Sequence, residues 1–356
     1  MAVRLTLSTP ARRIDAPASH PLTLTDRFGR TARDLRVSLT DRCNLRCTYC
    51  MPAEGLEWIP TADTLSDAEV IRLITIAVRD LGIRQVRFTG GEPLLRGSLA
   101  DIIAATTALR TDEGRSPATA LTTNGLGLDK RLPELVEAGL QRVNISMDSL
   151  DPERYARLTR RDRLPDVLRS IDAVLDAGLH PLKINTVVMP GVNEDDILPL
   201  AHFALEKGAE LRFIEQMPLG PREEWKRADM VTADDILARL RTDFELTPAQ
   251  EPRGAAPAAV WTARGVDKQG TIGVIASVTR PFCGDCDRTR LTTDGAMRTC
   301  LFSRTETSLR DLLRAGADDA ALAAAWAGAM REKKPGHDID DPGFLQPDRT
   351  MSAIGG

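Results

Sequence analysis

Between Leu35 and Met217 short apolar, β-branched runs alternate six times with longer stretches of helical spacing, and few architectures accept that rhythm. A strand, a helix and a further strand read as a crossover unit. Six such units predict an α/β fold whose parallel sheet curls into a barrel or partial barrel with helices outside it. The strand candidates are Leu35–Leu39, Gln85–Thr89, Ala118–Thr122, Arg142–Met147, Leu182–Val188 and Glu210–Glu215. Helices fall near Ser98–Leu109, Pro165–Ala177 and Glu194–Glu206, and over Ser66–Leu81, which opens with Ser66 and Glu69 at capping-box spacing. Ligands collect at the carboxyl ends of such strands. The turns found there carry Gly90-Gly91-Glu92-Pro93, Thr123-Asn124-Gly125, Ser146 to Asp148, and Met217, so the chemistry is expected at one mouth.

The loop after the first strand candidate, Leu35–Leu39, lies at the same end and holds half of the chain's six cysteines. Cys43, Cys47 and Cys50 form one triplet, Cys283, Cys286 and Cys300 form another, and none is left over. Three thiolates can hold three corners of a four-iron, four-sulfur cluster and leave the fourth iron open to a small molecule. Other readings stand beside this one. A disulfide framework belongs to short secreted chains, whereas this one has 356 residues and no signal-peptide pattern. A thioredoxin-type pair would use Cys47 and Cys50 but leave Cys43 idle. Structural zinc suits Cys283 and Cys286 with Cys300 as a third ligand, but His337, the only later histidine, is a distant fourth.

Hydrophobic residues make up 42% of the chain, charged residues 28%, and the net charge is −4. That is a soluble globular profile without the global basic field that nucleic acid would require, so any anionic ligand must be held locally. The longest apolar stretch, around Ala320 to Met330, is too short for a bilayer. The expectation is a cytoplasmic protein with neither nucleic acid nor membrane as partner. Residues 1–23, with Pro10, Pro17, Pro21 and an early run of arginines, read as a disordered leader; an organelle transit peptide is the other reading. The barrel is expected over 24–247, and Pro248 to Pro257 reads as a linker or surface loop. Region 258–356 then carries Ile272–Val278, the second triplet, helices near Thr307–Arg314 and Asp318–Lys333, and a Gly355-Gly356 end. Arg331-Glu332-Lys333-Lys334 reads as a solvated cap at a helix end. The four histidines show no ligand spacing, and the four tryptophans read as packing residues.

Cys43-x-x-x-Cys47-x-x-Cys50 followed by Gly90-Gly91-Glu92-Pro93 resembles the radical S-adenosylmethionine superfamily. Asp26-Arg27-Phe28-Gly29-Arg30, Leu35 to Asn44, Thr122-Thr123-Asn124-Gly125, Leu211-Arg212-Phe213-Ile214-Glu215, Cys283 to Arg290 and the terminal Gly355-Gly356 are similar to the GTP 3′,8-cyclases of molybdenum cofactor biosynthesis. The resemblance runs from about residue 24 to the end. It implies a partial (βα)6 TIM-like barrel with a C-terminal region that carries a second cluster. Cys43, Cys47 and Cys50 would hold the cluster that cleaves S-adenosylmethionine to a 5′-deoxyadenosyl radical, with Tyr49, Gly91, Ser146 and Met217 contacting that cosubstrate. Arg36, Arg87, Thr123, Lys183, Arg288 and Arg290 would contact GTP, with Arg212 a further triphosphate partner and Arg288 and Arg290 counted as catalytic. Cys283, Cys286 and Cys300 would hold the second cluster, whose open iron takes the guanine. Asp287 departs from the family's usual Asn and adds a negative charge beside Arg288.

The implied reaction removes H3′ of GTP and closes C3′ onto C8. The implied partners are a cyclic pyranopterin monophosphate synthase downstream and a flavodoxin or ferredoxin reductant, with a homodimer left open. Two rival readings remain at this point: a radical enzyme that modifies peptides, and a zinc-ribbon binding protein with a ubiquitin-like tail.

Overall fold

The computed structural model describes residues 22–220 and 225–355. Most of the proposed leader, residues 1–21, and the terminal Gly356 lie outside these described residues. In chain order the elements are β1 (Asp34–Ser38), α1 (Asp67–Arg79), β2 (Gln85–Thr89), α2 (Leu99–Thr107), β3 (Ala118–Thr123), α3 (Leu128–Glu137) and β4 (Arg142–Ser146). Then come α4 (Pro152–Thr159), α5 (Leu164–Asp176), β5 (Lys183–Val188), α6 (Ile197–Lys207), β6 (Glu210–Glu215), α7 (Ala233–Leu240), β7 (Glu245–Pro248), β8 (Ala259–Arg264) and β9 (Gln269–Ile275). The chain closes with β10 (Arg288–Leu291), β11 (Ala296–Arg298), β12 (Thr307–Ser308), α8 (Leu309–Arg314), α9 (Asp319–Arg331) and α10 (Met351–Ile354).

The strands form one open sheet in the order β12-β11-β10-β1-β2-β3-β4-β5-β6-β9-β8-β7. The six expected strands are its parallel centre, and the C-terminal region adds a parallel strand to each edge, β10 against β1 and β9 against β6. Antiparallel β11 and β12 extend one edge, and antiparallel β8 and β7 the other. The Pro- and Ala-rich stretch that reads as a linker is the connection between the paired strands β7 and β8. Helices α3 and α4 fall where no helix was foreseen: Pro133 lies inside the first, and the second spans only eight residues.

Side-chain parity explains the architecture. In β1, β2 and β6 the residues Leu35, Val37, Val86, Phe88, Leu211 and Phe213 are fully buried in the main hydrophobic core. The alternate positions, Arg36, Arg87 and Arg212, line the inside of the barrel. Packed barrels fill this space with branched apolar side chains, whereas here the three arginines share it with Val187, Ile214 and Ile275. The capping box on α1 forms as read, with Glu69 N donating to Ser66 Oγ and Ser66 N to Glu69 Oε2. At the other end of the molecule, Trp326 of α9 is wholly buried and its Nε1 donates to Thr289 of β10 at 3.0 Å, which fixes the C-terminal region to the barrel edge. Among the described residues no helix is long and apolar enough to cross a membrane.

Candidate active site

The first cysteine triplet lies in the loop after β1, and the turn after β2 clamps it. Gly91 N donates to Thr40 O at 2.6 Å and Glu92 N to Arg42 O at 2.8 Å. A Cβ on Gly91 would collide with the carbonyl oxygens of Asp41 and Arg42, so only glycine allows the two loops to meet. Glu92 is wholly buried and receives Leu94 N at 3.0 Å, Thr123 Oγ1 at 2.7 Å and Asn124 N at 2.8 Å. Burial nevertheless pushes its carboxyl up to about 7. Asn124, held in this way, turns its amide toward the Cys43 sulfur at 3.8 Å and to Asn44 Oδ1 at 2.7 Å. On the other side Tyr49 OH donates to Asp148 Oδ2 at 2.9 Å, and Asp148, raised to about 6 by burial, also receives Val187 N.

Burial raises all three thiols of this loop, Cys50 to about 12, and each of the other two adds its charge at Cys47. Three such sulfurs become thiolates together only around a cationic partner. They sense one another's charge, yet among the described residues no three side chains of the His, Cys, Asp and Glu types gather as closely as one metal ion needs. In a four-iron cluster each thiolate takes a different iron.

The second triplet is assembled from the turn Cys283–Asp285, the residue Cys286 that leads into β10, and Cys300 just past β11. Arg30 ties this turn down by donating to Cys283 O at 2.6 Å while pairing with Asp26 at 2.6 Å. Burial and the neighbouring thiols raise Cys283 to about 11. Burial would raise Cys286 too, but the charges of Lys333 and Arg288 bring it below its ordinary value.

A cavity of about 280 Å³ is lined by Tyr49 of the first cysteine loop and by Cys283, Cys286 and Cys300 of the second triplet. Ser146 and Met217 also line it. Below them stand the cations. Arg290, Arg36 and Arg87 are in register across β10, β1 and β2, so three guanidiniums lie side by side. Arg36 Nε, Arg87 Nε and Arg288 Nε are buried without a hydrogen-bond partner. The acids nearby are few: Asp34 lies 3.4 Å from Arg87, and Glu210 is shared by Lys183 at 3.0 Å and Arg212 at 2.6 Å. Burial, together with the charges of Arg290, Arg87 and Arg288, pushes Arg36 well below its ordinary value.

The expectation that these cations sit at the mouth is corrected by the strand bounds. Arg36 and Arg87 are the middle residues of five-residue strands, and Lys183 opens β5 at the opposite end. Lys183 faces a second cavity of about 540 Å³, which also shares Arg87, Arg212 and Arg288 with the first. Thr123 does not face either cavity: it is buried against Glu92, and its neighbour Thr122 lines the upper one. Gly91 acts on the loop backbone rather than on the cavity wall. Sequence reasoning missed Arg142, which lies between the cations at the start of β4, and Asp148, the anchor of Tyr49. Arg142, like Lys183, opens its strand as that strand's lone charge, and this cue could have found it.

The Radical SAM superfamily profile matches residues 37–204, and the Molybdenum Cofactor Synthesis C profile matches residues 209–339. A GTP 3′,8-cyclase of Corynebacterium glutamicum strain R is 73% identical over 345 residues, covering 96% of this chain and 91% of that protein. The GTP 3′,8-cyclase of Mycolicibacterium smegmatis is 56% identical, with 96% of this chain and 93% of the relative covered. That of Streptomyces coelicolor is 57% identical, with 94% and 96% covered. Among solved structures, Streptococcus suis SuiB bound to precursor peptide SuiA superposes with a TM-score of 0.54 at 15% identity, over 85% of this chain and 67% of SuiB, a likeness of fold alone. Two cysteine triplets around a cation-lined barrel, together with relatives this similar over almost the whole length, place the chain in the GTP 3′,8-cyclase family of the radical SAM superfamily.

Proposed function

We infer that the protein is a GTP 3′,8-cyclase, a lyase that removes H3′ of GTP as a hydrogen atom, joins C3′ to C8 and returns one electron and one proton to the resulting purine radical, giving 3′,8-cyclo-7,8-dihydro-GTP for molybdenum cofactor synthesis. The row Arg290, Arg36, Arg87 carries this reading. Like charges on neighbouring strands repel, and a fold built for stability alone would not bury them with the Nε of Arg36 and of Arg87 left open. A triphosphate presents several anionic oxygens that guanidinium forks grip bidentately, which turns the repulsion into binding. Lys183, Arg212 and Arg142 continue the positive surface into the lower cavity, where the distal phosphates would lie.

The donor sets fit the cofactors this chemistry needs. Cys43, Cys47 and Cys50 would hold one four-iron cluster, and Cys283, Cys286 and Cys300 a second. When bound, the first cluster with S-adenosylmethionine supplies one-electron cleavage of the sulfonium and the primary carbon radical that takes the hydrogen atom. Tyr49, fixed by Asp148, together with Ser146 and Met217 would frame the cosubstrate, and the Gly91 clamp sets the position of the first loop. Arg288 stacks over Phe282 at 5.0 Å beside Cys286, so one residue reaches both the second triplet and the phosphate row. The product would pass to a cyclic pyranopterin monophosphate synthase, and a flavodoxin or ferredoxin would supply electrons.

The test is anaerobic reconstitution followed by incubation with GTP, S-adenosylmethionine and a reductant. The expected result is a nucleotide of unchanged mass whose ribose is bonded to C8, together with about eight iron atoms per chain. A chain holding about one zinc and leaving GTP untouched would overturn the reading.

A further inference from the structure

The structure separates Lys333 from the solvated group in which its sequence neighbours place it. Arg331, Glu332 and Lys334 are exposed, but Lys333 is 3% exposed and its side chain runs inward beneath β10. Its Nζ lies 3.1 Å from Cys286 O, 3.3 Å from Cys286 Sγ and 2.9 Å from Arg288 O. An ammonium has three protons to donate, and these three acceptors use all of them.

None of the three is a carboxylate, and among the described residues no acid lies within ion-pair distance of Lys333; Asp287, next to Cys286 in the chain, feels its charge only from farther off. A buried ammonium without a counter-charge is costly. The only acceptor here that can carry a full negative charge is the Cys286 sulfur, as a thiolate. Cys286 is also singled out within its triplet: it receives Arg288 Nη1 at 3.7 Å as well, whereas neither Cys283 nor Cys300 has a side-chain donor among the described residues. The two cations differ in what else they touch. Arg288 lines the central cavity and can meet an anionic substrate, while Lys333 does not line it and otherwise meets only two backbone carbonyls.

We propose that Lys333 is a positioning residue for the second cluster, its ammonium donating to the Cys286 thiolate and favouring the cluster's reduced state. The proposal rests on the reading that Cys283, Cys286 and Cys300 bind an iron–sulfur cluster. Reduction adds a negative charge to such a cluster, and a fixed cation that donates a hydrogen bond to one of its thiolates stabilises the added charge. A site sheltered from water strengthens that interaction. The same ammonium holds Arg288 O, so the Cys286 loop and the strand that presents Arg288 and Arg290 are tied at one point.

The experiment compares full-length wild type, Lys333→Met and Lys333→Arg after anaerobic reconstitution, by redox titration monitored by electron paramagnetic resonance without GTP. A Cys283→Ala chain identifies which signal belongs to the second site. Lys333→Met keeps most of the aliphatic volume and removes the charge. Its second-cluster midpoint should move to more negative potential, with the first-cluster midpoint unmoved. Lys333→Arg should restore the wild-type value. Full iron with an unmoved second midpoint in Lys333→Met would overturn the proposal. If Lys333→Met loses the second cluster, Lys333→Arg decides: retained iron and a wild-type midpoint support the role of the charge, and equal loss of iron overturns it. A wild type with only about four irons would refute the two-cluster reading itself, before any variant is compared.

Discussion

Arg36 of β1 stands in register with Arg290 of β10, and no acceptor meets the Nε of Arg36 in its buried position. The pair strains the ligand-free fold and prepares it for a polyanion. Arg36→Met should therefore raise the melting temperature of the ligand-free chain while weakening GTP binding by about 1.5–3 kcal/mol. Guanosine, lacking phosphates, should bind almost as before. Calorimetry with both ligands checks this; equal losses for the two would assign Arg36 to the fold.

Arg290 has a second partner, since its Nη1 donates to Gly355 O across the barrel mouth. Gly355 is buried at φ +82°, and an added Cβ would stand 3.0 Å from Thr89 Cγ2 and 3.1 Å from Ser38 Cβ. Gly355→Ala, or removal of Gly355-Gly356, should keep iron content and GTP affinity but sharply lower cyclised product. Unchanged product from both variants would show that this end of the chain has no part in the reaction.

The barrel was legible because the central strands are short apolar runs spaced by helical stretches, some with a single apolar parity as Val86 and Phe88 show around Arg87, and because the cysteine spacings bear few readings. Other features turn on the tertiary path. A shift of one residue exchanges the faces of a strand, so Thr122 reaches the cavity where Thr123 was expected. The parallel pairing of β9 with β6 and of β10 with β1 joins segments far apart in sequence, and no local pattern announces it. Lys333 looks like its exposed neighbours until the turn after α9 carries it inward.

Glu92 should leave a mark on the pH dependence of stability. Its folded value of about 7 lies above the ordinary 4.5, so the folded chain holds this proton more tightly than the unfolded chain does. The resulting stability is complete below the unfolded value and is lost as pH rises through the folded one. The melting temperature of wild type relative to Glu92→Gln should therefore fall between about pH 5 and about pH 8. A flat difference would mean that Glu92 is ionised throughout.

The two triplets should fail differently. Cys47→Ala is expected to abolish 5′-deoxyadenosine formation. Cys283→Ala should remove the second cluster and block cyclisation, yet leave some uncoupled cleavage of S-adenosylmethionine. Equal loss of cleavage in both, with the first cluster intact in Cys283→Ala, would contradict this division.

The most direct test follows the hydrogen atom itself. Reconstituted enzyme given GTP deuterated at C3′ should return 5′-deoxyadenosine carrying one deuterium, in step with the 3′,8-cyclised nucleotide. Cyclised product formed alongside unlabelled 5′-deoxyadenosine, or labelled GTP recovered unchanged from a chain with both clusters filled, would contradict the assignment.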